Sequence, residues 1–215
     1  MVRSAAPAGV GVVLLGAVLL AACGGGPEPV ATVTGGDDDG LHGAVLTDRY
    51  VVPDLPLTDT SGASYSLTED TRKPLTLVFF GYTHCPDICQ MVMANLASAM
   101  TRLDESQRAQ VDVVLVTTDP ARDDAAVLRD YLDRYDPTFI GLTGDLAAIT
   151  RLGDALGVYI ARGAKLPSGG YEVDHGTPVV AIDADDRSPI VWTQGTSAAE
   201  LAEDVSVLLA DQEAS

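Results

Sequence analysis

Leu75-Thr76-Leu77-Val78-Phe79-Phe80 runs straight into Gly81-Tyr82-Thr83-His84-Cys85-Pro86-Asp87-Ile88-Cys89, and the fold is read from that junction. A continuous apolar run this short reads as a strand buried on both faces of a sheet. The residues from about Pro86 to Leu103 then read as a helix, so a single short turn joins strand to helix. Pro86 suits the first helical turn, where its missing N–H would have no intrahelical partner. Both thiols therefore fall near a helix N-terminus, where unpaired N–H groups and the helix dipole favour anions and lower a thiol pKa. Residues four apart on a helix share a side, so two sulfurs so placed converge on one ion or approach disulfide distance.

Outward from this junction, strand-like and helix-like segments alternate as in an α/β domain built on a central sheet. Val51 to Leu57 and Tyr65 to Leu67, separated by Thr60-Ser61-Gly62, read as a leading hairpin that extends the domain at its N-terminal side. Downstream come strand Val111 to Thr117, helix Asp123 to Tyr135, a short Phe139 to Leu142 segment and helix Asp145 to Leu156. Val158 to Ala161, Thr177 to Asp183 and Pro189 to Gln194 are strand candidates, and a helix from about Ser197 to Leu209 closes the chain. Arg162 to Glu172, with its Gly-Ala-Lys and Pro-Ser-Gly-Gly stretches, reads as a long mobile loop.

Upstream, Arg3 precedes an apolar run from about Gly9 to Leu20 and the small residues Ala21 and Ala22, the pattern of an export signal. The run is shorter than the roughly 20 residues of a spanning helix. Leu20-Ala21-Ala22-Cys23 resembles a bacterial lipobox, which implies a signal peptide over residues 1–22 and lipid on Cys23 as the first mature residue. The expected location is the outer face of the cell membrane. Residues 23–43, rich in Gly, Pro and Asp, read as a flexible linker, and His42 as a solvated linker histidine. The folded domain is expected over residues 44–215.

The whole chain has 215 residues, enough for one ordinary core plus a short appendage. Acidic residues outnumber basic ones 31 to 13 for a formal charge of −18, which excludes phosphate-backbone recognition and so nucleic acid as a partner. Three cysteines are present. With Cys23 assigned to lipid, Cys85 and Cys89 remain as a pair in a compartment where disulfides survive. They form a disulfide, a metal site, or a centre that alternates between the two. A staple closing so small a loop adds little stability, which favours chemistry over structure. The spacing has one residue more than the Cys-x-x-Cys of general disulfide oxidoreductases.

The segment Phe79 to Cys89 resembles the signature of the Sco/SenC family. Thr118-Asp119-Pro120-Ala121-Arg122-Asp123 and Val173-Asp174-His175 match two further family segments in the same order, so the resemblance covers about Leu46 to Leu209. It implies a thioredoxin-like fold with a central mixed sheet flanked by helices. It also implies one copper ion per chain, held by Cys85, Cys89 and His175, and delivery of copper to the dinuclear copper centre of cytochrome c oxidase, or reduction of that centre. The copper-bearing oxidase subunit and an upstream copper donor are the implied partners. Gln90 stands where the family often has proline. Gly176 follows the histidine where a hydroxyl residue often stands, a change expected to loosen the loop.

Two thiolates and an imidazole make a soft trigonal set suited to Cu(I), and Cu(II) adds a further oxygen or nitrogen donor. Zinc usually takes a fourth ligand. Asp87 and Asp174 are placed to orient these donors. His84 is assigned to shaping the turn, Met91, Met93 and Met100 to core filling, and Asp119 with Arg122 to a local ion pair. Two other functions remain open on the sequence. One is thiol–disulfide exchange at Cys85 and Cys89 as the redox-active pair. The other is thiol peroxidase chemistry, which fold alone supports weakly.

Overall fold

The computed structural model describes residues 33–34, 40–71, 73–165 and 171–213. The stretch read as an export signal, Cys23 and most of the stretch read as a linker lie outside these residues. A nine-stranded mixed sheet forms the centre, in the spatial order β1 (Val33–Thr34), β2 (Ala44–Val51), β11 (Arg187–Trp192), β10 (Val179–Ile182), β5 (Leu75–Gly81), β6 (Val111–Thr117), β7 (Ile140–Thr143), β3 (Leu57–Asp59) and β4 (Ser64–Tyr65). β5, β6 and β7 run parallel, and β10 returns antiparallel beside β5. A two-stranded hairpin, β8 (Ile160–Lys165) with β9 (Tyr171–His175), forms a separate small sheet.

Every residue of β5 is buried, as its apolar run requires, and its side chains alternate between two cores. Leu75, Leu77 and Phe79 join the core beneath α1 (Ile88–Arg102), α3 (Ala125–Leu132) and α5 (Ala198–Glu213). Val78 and Phe80 join the opposite core, against Ile149 and Leu152 of α4 (Leu146–Ala155). A short capped helix, α2 (Glu105–Arg108), leads into β6, with the Asp104 carboxylate and the Gln107 side chain bonding reciprocally across its first turn. Helices on both faces of a mixed sheet, with β5 leading into α1, make this a thioredoxin-like fold.

The leading hairpin differs from expectation. Pro53 and Pro56 keep residues 52–56 out of a ladder, since proline has no N–H to donate, and β3 with β4 instead edges the sheet beside β7. Its turn is fixed by the Asp59 carboxylate, which accepts from the Ser61 and Ala63 amides at 2.8 and 2.9 Å.

Part of the stretch read as linker is also ordered: Val33 and Thr34 pair with Leu46 and Val45. The His42 side chain is exposed, as expected, but its main chain is docked. The wholly buried Asp204 carboxylate accepts from the His42 and Gly43 amides and from Trp192 Nε1 at 2.6 Å. The His42 imidazole lies 3.1 Å from Glu203, and that hydrogen bond holds its pKa above the ordinary value.

Candidate metal centre

The cysteine turn is held from below. Gly81 closes β5, and its carbonyl accepts the Thr118 amide at 2.8 Å. A Cβ here would meet the Phe79 ring at 2.7 Å and Cys89 Sγ at 3.1 Å, so only glycine lets the sulfur approach the strand end this closely. Gly81→Ala is expected to cost about 1–3 kcal/mol of stability through overpacking, read as a lowered denaturant midpoint, and to displace the Cys89 sulfur. An unchanged midpoint would mean that the contact relaxes freely.

The buried Asp123 carboxylate, at the end of the Thr118 to Asp123 segment, holds the other side of the turn. It accepts from the Thr83 amide at 2.9 Å, Thr83 Oγ1 at 2.6 Å and Thr117 Oγ1 at 2.7 Å. Asp119 and Arg122 form the expected ion pair. His84 turns toward this acid rather than toward the sulfurs, with Nδ1 2.9 Å from Thr83 Oγ1 and 3.5 Å from Asp123.

Helix α1 begins at Ile88, later than the expected Pro86, so Cys85 lies in the preceding turn and only Cys89 is helical. The Cys85 amide donates to the Tyr82 carbonyl at 3.2 Å. The Cys89 amide, one of the helix's unpaired N–H groups, points at Cys85 Sγ at 3.5 Å. Gln90 uses its side chain where a proline could not, with its amide nitrogen 3.4 Å from the Cys85 carbonyl. Both thiols are free. Cys85, 6% exposed, lines an open cleft of about 560 Å³, while Cys89 is 1% exposed behind it.

The helix-start environment does not lower the Cys89 thiol. Burial pushes its pKa strongly up, helped by the hydrogen bond it gives Cys85 and by the charge of Asp123. Desolvation outweighs the dipole because the sulfur sits in the core beneath α1 rather than at an exposed helix end.

The third sequence-predicted donor reaches the same place. His175 ends β9 in a hairpin where a loop was expected, with its Nε2 3.7 Å from Cys89 Sγ. Its Nδ1 faces the Gly176 carbonyl at 2.7 Å, and the Gly176 amide donates to the Tyr159 carbonyl at 2.8 Å, so the main chain at this position ties the ring to the hairpin. Burial lowers the pKa of His175, against the opposing effects of the Gly176 hydrogen bond and the Asp174 charge. A neutral ring whose Nδ1–H is given to a carbonyl leaves the Nε2 lone pair directed at the sulfur.

The donor chemistry fits a soft ion. A sulfur and a nitrogen held at about 2.3 and 2.0 Å from one metal stand roughly 3.5–3.8 Å apart, and Cys89 and His175 already have that spacing. The full set is not yet gathered: among the described residues no three His, Cys, Asp or Glu side chains are arranged to hold an ion. Asp87 and Asp174 are exposed at the rim of the cleft, where Asp174 acts on His175 through its charge. Met93 and Met100 fill the core as expected, whereas Met91 is 46% exposed.

Tyr82 carried no role in the sequence reading. Its ring meets that of His175 edge-on, with centroids 5.9 Å apart. Only its place beside the cysteines could have drawn attention to it. The Asp123 carboxylate was likewise legible only as part of a motif.

The SCO1/SenC family model matches residues 46–210. A protein of Stutzerimonas stutzeri named for copper binding is 35% identical over 141 residues, covering 66% of this chain and 68% of that one. The mouse mitochondrial SCO2 homolog is 31% identical over 137 residues, 63% of this chain; the match spans only about half, 54%, of the mouse protein. The structure of Bradyrhizobium japonicum ScoI with copper bound superimposes with a TM-score of 0.66 at 28% identity, over 74% of this chain and 99% of that one.

Proposed function

Since the chain belongs to the SCO1/SenC family, we propose that it binds one copper ion through Cys85, Cys89 and His175 and hands it to an apoprotein, the copper-bearing subunit of cytochrome c oxidase. The observation that carries this reading is the 3.7 Å approach of His175 Nε2 to Cys89 Sγ, across 86 residues of sequence. The preset Cys89–His175 pair supplies two donors. Cys85, at the cleft wall, completes the set by turning its side chain inward. Cys85 and the half-buried His175 both line the cleft, with Cys89 behind them, so an acceptor protein reaches these two donors first, which suits transfer.

In the same reading the chain is exported and tethered by lipid on Cys23, with the linker setting the domain off the membrane, and an upstream protein supplies the ion. The exposed Tyr159 and the carboxylates of Asp87 and Asp174 lie around the opening that such partners would meet.

Thiol–disulfide exchange on the same sulfurs is supported by their contact. Cys85, the more open sulfur, attacks a target disulfide. The buried Cys89 then displaces the target's second thiol, leaving a reduced target and a Cys85–Cys89 disulfide.

Anaerobic Cu(I) titration of the reduced full chain in detergent, with a competing chelator, tests the copper reading. One ion per chain is expected, with binding weakened about 10²-fold in His175→Ala, where one of three donors is lost. Lack of specific binding by the parent chain would overturn delivery and leave thiol exchange as the function.

A further inference from the structure

The strand that brings His175 to the site belongs to a two-stranded hairpin outside the main sheet. Such a hairpin is marginally stable unless other groups tie it down. Tyr82, 6% exposed, lies between it and the cysteine turn. Its carbonyl accepts the Cys85 amide. Its phenol oxygen accepts the amide of Val173, two residues before His175. Its ring meets the His175 ring at 5.9 Å and an interplanar angle of 83°. The Arg122 guanidinium lies 5.7 Å from the centroid of the same ring and is paired with the buried Asp119. Phe79 also meets the imidazole, at 6.3 Å, but has no polar atom with which to hold the strand.

We propose that Tyr82 is the positioning residue for His175: its hydroxyl fixes β9, its ring sets the imidazole plane, and its main chain carries the same constraint into the cysteine turn. This rests on the reading of His175 as a copper donor. It assigns the ion-paired Arg122 the further task of keeping the tyrosine ring in place, which links the Thr118 to Asp123 segment to the third donor as well as to the turn.

Tyr82→Phe removes the hydroxyl alone. In the metal-free full chain, hydrogen exchange of the Val173 amide is expected to quicken about tenfold, the effect of one lost hydrogen bond, with the melting temperature little changed. Cu(I) affinity is expected to fall about tenfold in Tyr82→Phe and not to fall further when the same substitution is made in His175→Ala, because the effect runs through the imidazole. An equal affinity loss in both backgrounds would make Tyr82 a general packing residue and overturn the proposal, as would unchanged Val173 exchange. If the parent chain binds no copper, the delivery reading fails by that result, and Val173 exchange with the His175 ring signals of the metal-free chain decides the positioning role separately.

Discussion

Cys89→Ser is expected to lower Cu(I) affinity by about 10³-fold, on the order of 4 kcal/mol, the largest binding effect of any single substitution at the site. A buried thiol cannot be replaced by solvent when it is lost. Cys89 is 1% exposed, is packed under Gly81, and already faces the imidazole at donor spacing. A hydroxyl of similar shape occupies the same space but offers a hard oxygen that a soft ion prefers less. The fold should survive, since the serine hydroxyl can donate to the neighbours that Cys89 faces. The affinity loss should therefore exceed any change in unfolding free energy. The same substitution at Cys85 is expected to cost less, because its place at the cleft wall lets another donor enter from solution. Competition titration of both variants beside the parent measures this. Affinity of Cys89→Ser within threefold of the parent would remove the buried thiol from the donor set.

The centre of the fold was legible because apolar runs report burial directly. β6 (Val111–Thr117) has the predicted bounds, and β5 extends the predicted strand by one residue to Gly81. Helix starts were less legible. The Cys-Pro-Asp stretch resembles a helix opening, yet Asp87 takes φ −144°, and the helix waits until Ile88. That delay alters the chemistry, since it leaves Cys85 in a turn facing the helix's amides. The β8–β9 hairpin was hidden because its glycines and polar residues resemble a loop, and its order comes from side-chain ties to distant residues. The proximity of His175 to Cys89 had a sequence signal only in the family motif, because no local pattern joins positions 86 residues apart. Buried acids were hardest to see. Asp123 and Asp204 are wholly buried, whereas a carboxylate in sequence reads as solvent-facing unless its donors are known.

The largest stability effect is expected from Asp123→Ala, at about 4 kcal/mol. Three donors lose one charged acceptor together: the Thr83 amide, the Thr83 hydroxyl and the Thr117 hydroxyl. Hydrogen bonds to a charged group contribute roughly 1.5–3 kcal/mol each, and leaving buried donors unsatisfied adds a desolvation cost. The sum is not reached because the Thr83 hydroxyl can turn to His84 Nδ1, 2.9 Å away. Asp123→Asn retains one carbonyl oxygen but presents an amide to donors on its other side, so about half the loss is expected. The consequence for the site follows from position. Thr83 lies two residues before Cys85, and freeing it loosens the turn that carries the sulfur, while Cys89 keeps its place on α1. Chemical denaturation of the three chains gives the stabilities, and Cu(I) competition on the folded fraction gives the effect on the site. A stability change under 1 kcal/mol in Asp123→Ala would show that the turn is held by packing and by the Gly81 and Thr118 main chains rather than by this carboxylate.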